Sequence, residues 1–196
     1  MRNMVTAAGY IKNLTLNDIQ LAAAYYPVLV DQAKHRQTIT YGELITKAKQ
    51  LNPGNTVVQN AIATSAGRKL SAVRKFTDAQ DYPDLTSLVI GKGSGDCGGG
   101  YTKNFDPEEV RKEVFAFDWG SVFKEFDLHI KGLEKTTTPR KPRKKDEAIK
   151  LMSEFYFRNK KSLPPTIQSQ RDSIIELLME GVSVEDAFGQ PMGNAS

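Results

Sequence analysis

A short β-prone segment, followed by helical segments and a glycine-rich tip, most constrains how this chain folds. Residues 38–40 favour an extended strand, and Thr40 with Glu43 forms a capping box that starts a helix. Two further helical segments follow between residues 56 and 79. An apolar strand and then a glycine-rich tip occupy residues 85–100. This order predicts a winged helix-turn-helix.

Cap and turn signals predict helices on both sides of this core. Thr15 and Asp18 form a capping box for a helix to about Arg36, inside which Pro27 predicts a kink or a break. The predicted fold is mainly α with a small β-hairpin: a winged helix-turn-helix core with flanking helices over residues 1–131, a basic linker over 132–145, and a small helical module over 146–196.

Cysteine content and hydropathy constrain the compartment. The chain has a single cysteine, Cys97, which excludes an internal disulfide and favours a reducing compartment. Apolar runs are shorter than the roughly 18 residues that a membrane span needs, so we expect no membrane partner. Residues 1–6 lack the apolar stretch of a signal peptide. Together these features predict a cytoplasmic protein.

The positive charge is concentrated in one segment. Residues 136–145 carry five basic side chains and no acidic one, whereas residues 146–196 carry five basic and eight acidic ones. Such a segment attracts polyanions, because each Lys or Arg that neutralises a phosphate releases a counterion. Residues 139–145 are similar to a minor-groove hook but lack the central Arg-Gly-Arg. A solubilising linker and a non-specific phosphate tether therefore stay open as alternatives.

Two short motifs resemble the C-terminal winged-helix domain of the O6-alkylguanine-DNA alkyltransferase and alkyltransferase-like family. They are Thr40-Tyr41-Gly42-Glu43-Leu44-Ile45 and a looser counterpart, Gly67-Arg68-Lys69-Leu70-Ser71. The resemblance implies that Tyr41 contacts a backbone phosphate and that Arg68 enters the base stack. The family's Pro-Cys-His-Arg active site is absent, and Cys97 has no adjacent histidine. Alkyl transfer is therefore rejected.

The helix predicted at 67–79 is the candidate recognition helix. Between Val58 and Thr77 the chain carries four basic side chains and no acidic one. Arginines suit guanine edges or phosphates, and lysines suit phosphates; a solvated helix face is the alternative. The glycine-rich tip is the candidate wing, with residues 101–103 as the second strand of its hairpin. The predicted DNA-contacting residues are Tyr41, Ser65, Arg68, Lys69, Ser71, Arg74, Lys75, Lys92, Lys103, Arg140, Lys141, Arg143, Lys144 and Lys145.

Other motifs do not predict a cofactor or a catalytic site. Gly93, Gly95 and Gly98 match the spacing of a dinucleotide fingerprint, but that motif needs a helix directly after it and a strand is predicted here. His35 and His129 lie far apart in sequence, without recognisable metal-ligand partners. We therefore predict no cofactor and no metal site.

These features predict a non-enzymatic protein that binds double-stranded DNA, as a regulator or as an accessory factor such as one of a mobile element. The acidic C-terminal part predicts a helical surface for a protein partner, with Ile174, Leu178 and Phe188 as anchors. A protein-binding adaptor or inhibitor that acts through the wing or these helices is the alternative function. A metal-dependent nuclease assembled from scattered acidic residues is a third.

Overall fold

The computed structural model describes residues 14–63, 66–97 and 106–189, and these are mainly helical. In chain order the elements are α1 (Leu16–His35), β1 (Ile39–Thr40), α2 (Tyr41–Leu51), α3 (Thr56–Gln59), α4 (Ala66–Ala79), a first 3-10 helix (Leu85–Leu88), β2 (Val89–Ile90), α5 (Pro107–Ala116), α6 (Phe123–Thr136), α7 (Lys145–Asn159), a second 3-10 helix (Pro165–Gln170), α8 (Arg171–Met179) and α9 (Val184–Gly189). Among these described helices, none combines the length and apolar content that crossing a bilayer requires.

Helix α1 is the centre of the N-terminal unit, residues 14–136. Its predicted capping box is confirmed: the Thr15 amide donates to Asp18 Oδ2 at 2.7 Å, and the Asp18 amide donates to Thr15 Oγ1 at 3.1 Å. Of the kink or break predicted at Pro27, the break is wrong, because α1 runs through the proline without interruption. Helices α2, α4 and α6 pack around α1, so tertiary contacts hold the helix where one backbone donor is missing.

The strands are shorter than predicted and pair in parallel. Ile39 lies opposite Val89 and Thr40 opposite Ile90, which makes a two-stranded parallel sheet. The predicted strand over 85–90 is wrong in its first four residues, which form the first 3-10 helix. Asp84 caps this turn by accepting hydrogen bonds from the amide and hydroxyl of Thr86, at 3.0 and 2.6 Å. The predicted hairpin partner, residues 101–103, lies outside the described residues.

Aromatic side chains pack in the core between α1, α4 and α6. The ring of Tyr26 stacks on Phe126 with centroids 3.7 Å apart, and both rings meet Phe76 edge-on. Trp119 lies buried in the turn before α6 and donates from its indole nitrogen to the Val114 carbonyl at 2.9 Å. Three elements that are distant in sequence are thereby joined into one apolar cluster.

His129 makes the stability of this aromatic core dependent on pH. Burial lowers the pKa of its imidazole, and the nearby Lys75 lowers it further, against the opposing effect of a hydrogen bond to the Ala72 carbonyl. Below the ordinary pKa of about 6.5 the unfolded chain therefore binds the proton more readily than the folded one. We expect the melting temperature to fall as the pH decreases from 7 to 5, and to fall less steeply in His129→Gln.

The exposed His35 supplies the control for this titration, because it lies on α1 outside the aromatic core. His35→Gln makes the same chemical change outside that core, and the shallower pH profile is expected for His129→Gln. Melting curves followed by circular dichroism measure all three proteins. Parallel pH profiles for His129→Gln and the wild-type protein would remove the buried imidazole as the cause.

The second apolar cluster belongs to residues 145–189, which we call the C-terminal module. Its core is formed by α7, the second 3-10 helix, α8 and α9. Helix α8 ends at Met179, and Gly181 follows as its C′ residue with φ +85°. The Gly181 amide donates to the Leu178 carbonyl and the Val182 amide donates to the Leu177 carbonyl, both at 3.0 Å. This is the hydrogen-bond pattern of a Schellman motif.

Candidate nucleic-acid interface

The first turn of α4 is buried rather than exposed. Arg68 is 3% exposed and Lys69 is 1% exposed. The guanidinium of Arg68 pairs with Asp18 of α1, and its Nη2 lies 3.7 Å from Oε2 of Glu180. Lys69 Nζ donates to Oε2 of Glu176 at 2.7 Å. The expectation that α4 carries these two cations on an outer face is therefore wrong.

These five charged side chains form a cluster with an excess of negative charge. Two cations, Arg68 and Lys69, face three carboxylates, Asp18, Glu176 and Glu180. The pKa of Glu180 is raised, first because burial penalises its charged form and then because Asp18 lies nearby. With all three carboxylates present, the net negative charge of the cluster therefore does not attract a phosphate.

The remaining predicted positions on α4 also face protein. Ser71 is buried, and the guanidinium of Arg74 pairs with Asp84 through a contact of 3.1 Å. Lys75 is partly buried, and burial lowers the pKa of its ammonium group. Helix α4 is thus a core helix that packs on α1 and on the first 3-10 helix, not an exposed recognition helix. Ser65, the predicted contact just before α4, lies outside the described residues.

Tyr41 and the loop after β2 lie together. Tyr41 packs against the N-terminal core, and burial followed by the charge of Cys97 raises the pKa of its hydroxyl. The loop at 91–97 is anchored by Arg111, whose Nη2 donates to Asp96 Oδ1 at 2.9 Å. Cys97, in the same loop, is buried, and burial raises the pKa of its thiol. A buried thiol with a raised pKa is a poor nucleophile.

Lys92 is the predicted wing residue that the structure leaves at the surface. It is exposed in the loop at 91–97, close enough to Glu43 of α2 to help lower the pKa of that carboxyl. The largest cause of that lowering is the hydrogen bond that Glu43 accepts from the Thr40 amide, at 2.9 Å. Lys103, the second wing cation predicted, lies outside the described residues.

The basic linker carries a group of cations without carboxylate partners among the described residues. Helix α6 extends to Thr136 and α7 begins at Lys145, so residues 137–144 of the predicted linker 132–145 lie outside these helices. Four of the five cations between residues 136 and 145 form no ion pair with a carboxylate of residues 14–63, 66–97 or 106–189. These four are Arg140, Lys141, Lys144 and Lys145.

Arg143 is the exception among the linker cations, because it fastens the linker to the C-terminal module. Its amide donates to the Met179 carbonyl at 2.8 Å. Its Nη1 donates to the carbonyls of Leu178 and Val182, at 3.0 and 2.8 Å. A cation at the end of α8 is favoured by the partial negative charge of a helix C-terminus. Arg143 therefore has a structural role, since it holds the linker against the C-terminal module.

A cleft of about 1000 Å³ separates the N-terminal unit from the linker and the C-terminal module. Its walls on one side are Asn17, Thr56 and Asn60, and on the other side Ile175 and Met179 of α8. Linker residues, including the basic side chains at 140 and 145, line the same cleft. The cleft is thus bordered by exposed positive charge and lies directly beside the buried charge cluster.

The carboxylates that neutralise Arg68 and Lys69 were not among the candidate residues, although a sequence signal for them exists. Glu176 and Glu180 are four residues apart, which places them on one face of a helix. The signal is the spacing alone, because this side of α8 lies opposite its buried residues Ile174 and Leu178, where a carboxylate is ordinarily solvated. The spacing alone does not say which cation lies opposite.

Comparisons with protein-family models, with curated proteins and with solved structures find no match to this chain. In the part of the chain that the structure describes, no three His, Cys, Asp or Glu side chains are grouped so as to hold a metal ion. The geometry of the linker, the loop at 91–97 and the charge cluster is therefore the basis for assigning a function.

Proposed function

We propose that this protein binds nucleic acid, preferentially double-stranded DNA, through phosphate contacts of its basic linker. The observation that supports this proposal is the set of four linker cations that have no carboxylate partner among the described residues. Phosphate contacts by Lys and Arg supply most of the affinity in sequence-independent DNA binding. The activity is binding and not catalysis, as for a regulator or an accessory factor.

The position of the linker supports a phosphate partner. Arg143 and the two prolines limit its motion, so the neighbouring cations are held on the surface at low entropic cost. Lys144 and Lys145 are the N-cap and first residue of α7, where the helix dipole disfavours cations. The two lysines therefore do not stabilise α7. A bound phosphate is stabilised by the positive charge of both lysines and by the N-terminus of the helix.

We further propose that residues 39–97 form a divergent winged helix that presents Lys92 to the same ligand. The support is the order of β1, α2, α3, α4, β2 and the following loop. In this arrangement α4 serves as the scaffold, because its own side chains pack inside the protein. Lys92 and the linker then contact the DNA backbone, and specificity for a base sequence is expected to be low.

Neutralising the linker tests this function. We expect the variant Arg140→Gln/Lys141→Gln/Lys144→Gln/Lys145→Gln to bind a mixed-sequence DNA duplex more weakly than the wild-type protein. The slope of log affinity against log salt should become shallower by about 0.9 for each phosphate that the variant no longer neutralises, and so by up to about 3.6. Fluorescence anisotropy with a labelled duplex at several salt concentrations measures both quantities.

The control variant removes the same number of charges elsewhere. Lys34, Lys124, Lys160 and Lys161 are exposed and lie outside the linker. Their replacement by Gln should leave the salt slope within about one unit of the wild-type slope. Equal slopes for the linker variant and the wild-type protein would contradict the proposal. A protein partner retained after nuclease digestion, together with that result, would favour the adaptor function.

A further inference from the structure

The C-terminal module covers the two cations of the first turn of α4. Glu176 lies on α8 and pairs with Lys69, and Glu180 follows α8 and lies 3.7 Å from Arg68. Both carboxylates come from a part of the chain more than a hundred residues away from Arg68 and Lys69. The burial of Lys69 and Arg68 therefore depends on how the module docks.

The contact between the two units is mainly polar. The apolar cluster of the N-terminal unit and that of the module are separate, and each helix packs mainly against helices of its own unit. The cleft of about 1000 Å³ lies between the two units, beside the ion pairs. Little apolar surface therefore opposes separation of the units, and relative motion is the default for a contact of this kind.

Separation of the module reverses the charge of the cluster. With the module docked, two cations face three carboxylates, for a formal net charge of −1. Without Glu176 and Glu180, Asp18 neutralises one of the two cations and the net charge becomes +1. A phosphate is thus repelled from the docked cluster and attracted to the undocked one.

We propose that the first turn of α4 is a second contact site for the nucleic-acid backbone, which the C-terminal module blocks by intramolecular competition. Glu176 and Glu180 occupy the place that phosphate oxygens take when the module moves away. The affinity of the protein for nucleic acid then includes the free energy of undocking, and any change that weakens docking raises the affinity. The inference takes its ligand class from the proposed function but uses different cations.

The experiment compares two variants of the full chain that remove the same charge from the same module. Glu176→Gln/Glu180→Gln removes the carboxylates opposite α4, and Glu185→Gln/Asp186→Asn removes two exposed carboxylates of α9. Both variants are titrated against the same mixed-sequence duplex by fluorescence anisotropy. We expect the first variant to bind at least about fivefold more tightly than the second, which is the lower end of typical coupling between sites.

Two additional variants identify the cation and keep the comparison interpretable if the double variant misfolds. Adding Lys69→Gln to Glu176→Gln/Glu180→Gln should abolish the gain in affinity, because the uncovered ammonium group is then absent. The single variant Glu176→Gln, at a partly exposed position, is the milder form if the double variant loses helical circular dichroism. Hydrogen exchange at the amides of the first turn of α4 should be faster in the carboxylate variants than in Glu185→Gln/Asp186→Asn.

The outcomes separate this inference from the proposed function. A gain in Glu176→Gln/Glu180→Gln that Lys69→Gln abolishes supports the blocked site, even if neutralising the linker has no effect. Affinity equal to that of Glu185→Gln/Asp186→Asn, including no binding by either protein, overturns it. A gain that persists after Lys69→Gln also overturns it, because Asp18 then neutralises Arg68 and the first turn of α4 offers no uncovered cation.

Discussion

Arg68→Ala is expected to lower the free energy of unfolding by about 3–5 kcal/mol, the usual cost of removing one partner of a buried ion pair. Asp18 is 0% exposed and loses its ion pair with Arg68 in this variant. The cation of the cluster that remains near it is Lys69, whose Nζ lies 3.9 Å from Asp18 Oδ1. Glu180 loses its closest cation at the same time. The cluster then holds three carboxylates and one ammonium group, in surroundings that solvate charge poorly.

Chemical unfolding in urea measures this loss, and Arg74→Ala is the matched control. Arg74 lies on the same helix, and its ion pair with Asp84 is partly exposed to solvent. Its replacement should cost only about 1 kcal/mol or less. Adding Glu180→Gln to Arg68→Ala should restore part of the stability, because one of the carboxylates left without its cation is removed. A cost for Arg68→Ala no larger than that for Arg74→Ala would show that the cluster is solvated.

Gly181→Ala is the second substitution with a large expected effect, about 2–5 kcal/mol of destabilisation. The backbone of Gly181 has φ +85°, a conformation that strains residues with a Cβ atom. An added Cβ atom would also collide with the Lys141 carbonyl oxygen and would lie 2.8 Å from the Cβ of Arg140. Both the Schellman motif and the attachment of the linker by Arg143 are expected to weaken.

Gly132→Ala is the control for this substitution because it makes the same chemical change inside α6. An added Cβ atom there meets no atom within 4 Å, and the residue is exposed. Alanine in a helix interior is expected to stabilise the protein by about 0.5–1 kcal/mol relative to glycine. Urea unfolding of the two variants should therefore give changes of opposite sign. Equal changes would show that the contact between Gly181 and the linker is not needed for stability.

Local sequence signals predicted the ends of the helices well. The capping boxes at Thr15 and Thr40 are confirmed, and the start of α5 at Asp106 and Pro107 and the glycine that follows α8 are equally local signals. These features involve hydrogen bonds between residues a few positions apart, so the sequence contains both partners. The 3-10 turn at 85–88 was missed, because the side chain of Asp84 competes locally for backbone donors.

The position of each cation relative to the rest of the molecule could not be predicted in the same way. Arg68, Lys69 and Lys141 are equally basic in the sequence, yet the first two are buried in ion pairs and the third is exposed. Arg143 and Lys144 are neighbours, but only Arg143 reaches the carbonyls at the end of α8. These differences depend on partners that lie far away along the chain.

The amino-acid sequence by itself determined the helical class, the caps, the glycine at the end of α8 and the concentration of positive charge between α6 and α7. Tertiary structure decided which charges are available to a ligand. The physical reason is that caps and helical periodicity arise from contacts within one or two turns. The burial of Arg68 and Lys69 requires carboxylates from α1 and from the C-terminal module, which only the packing of the chain brings to α4.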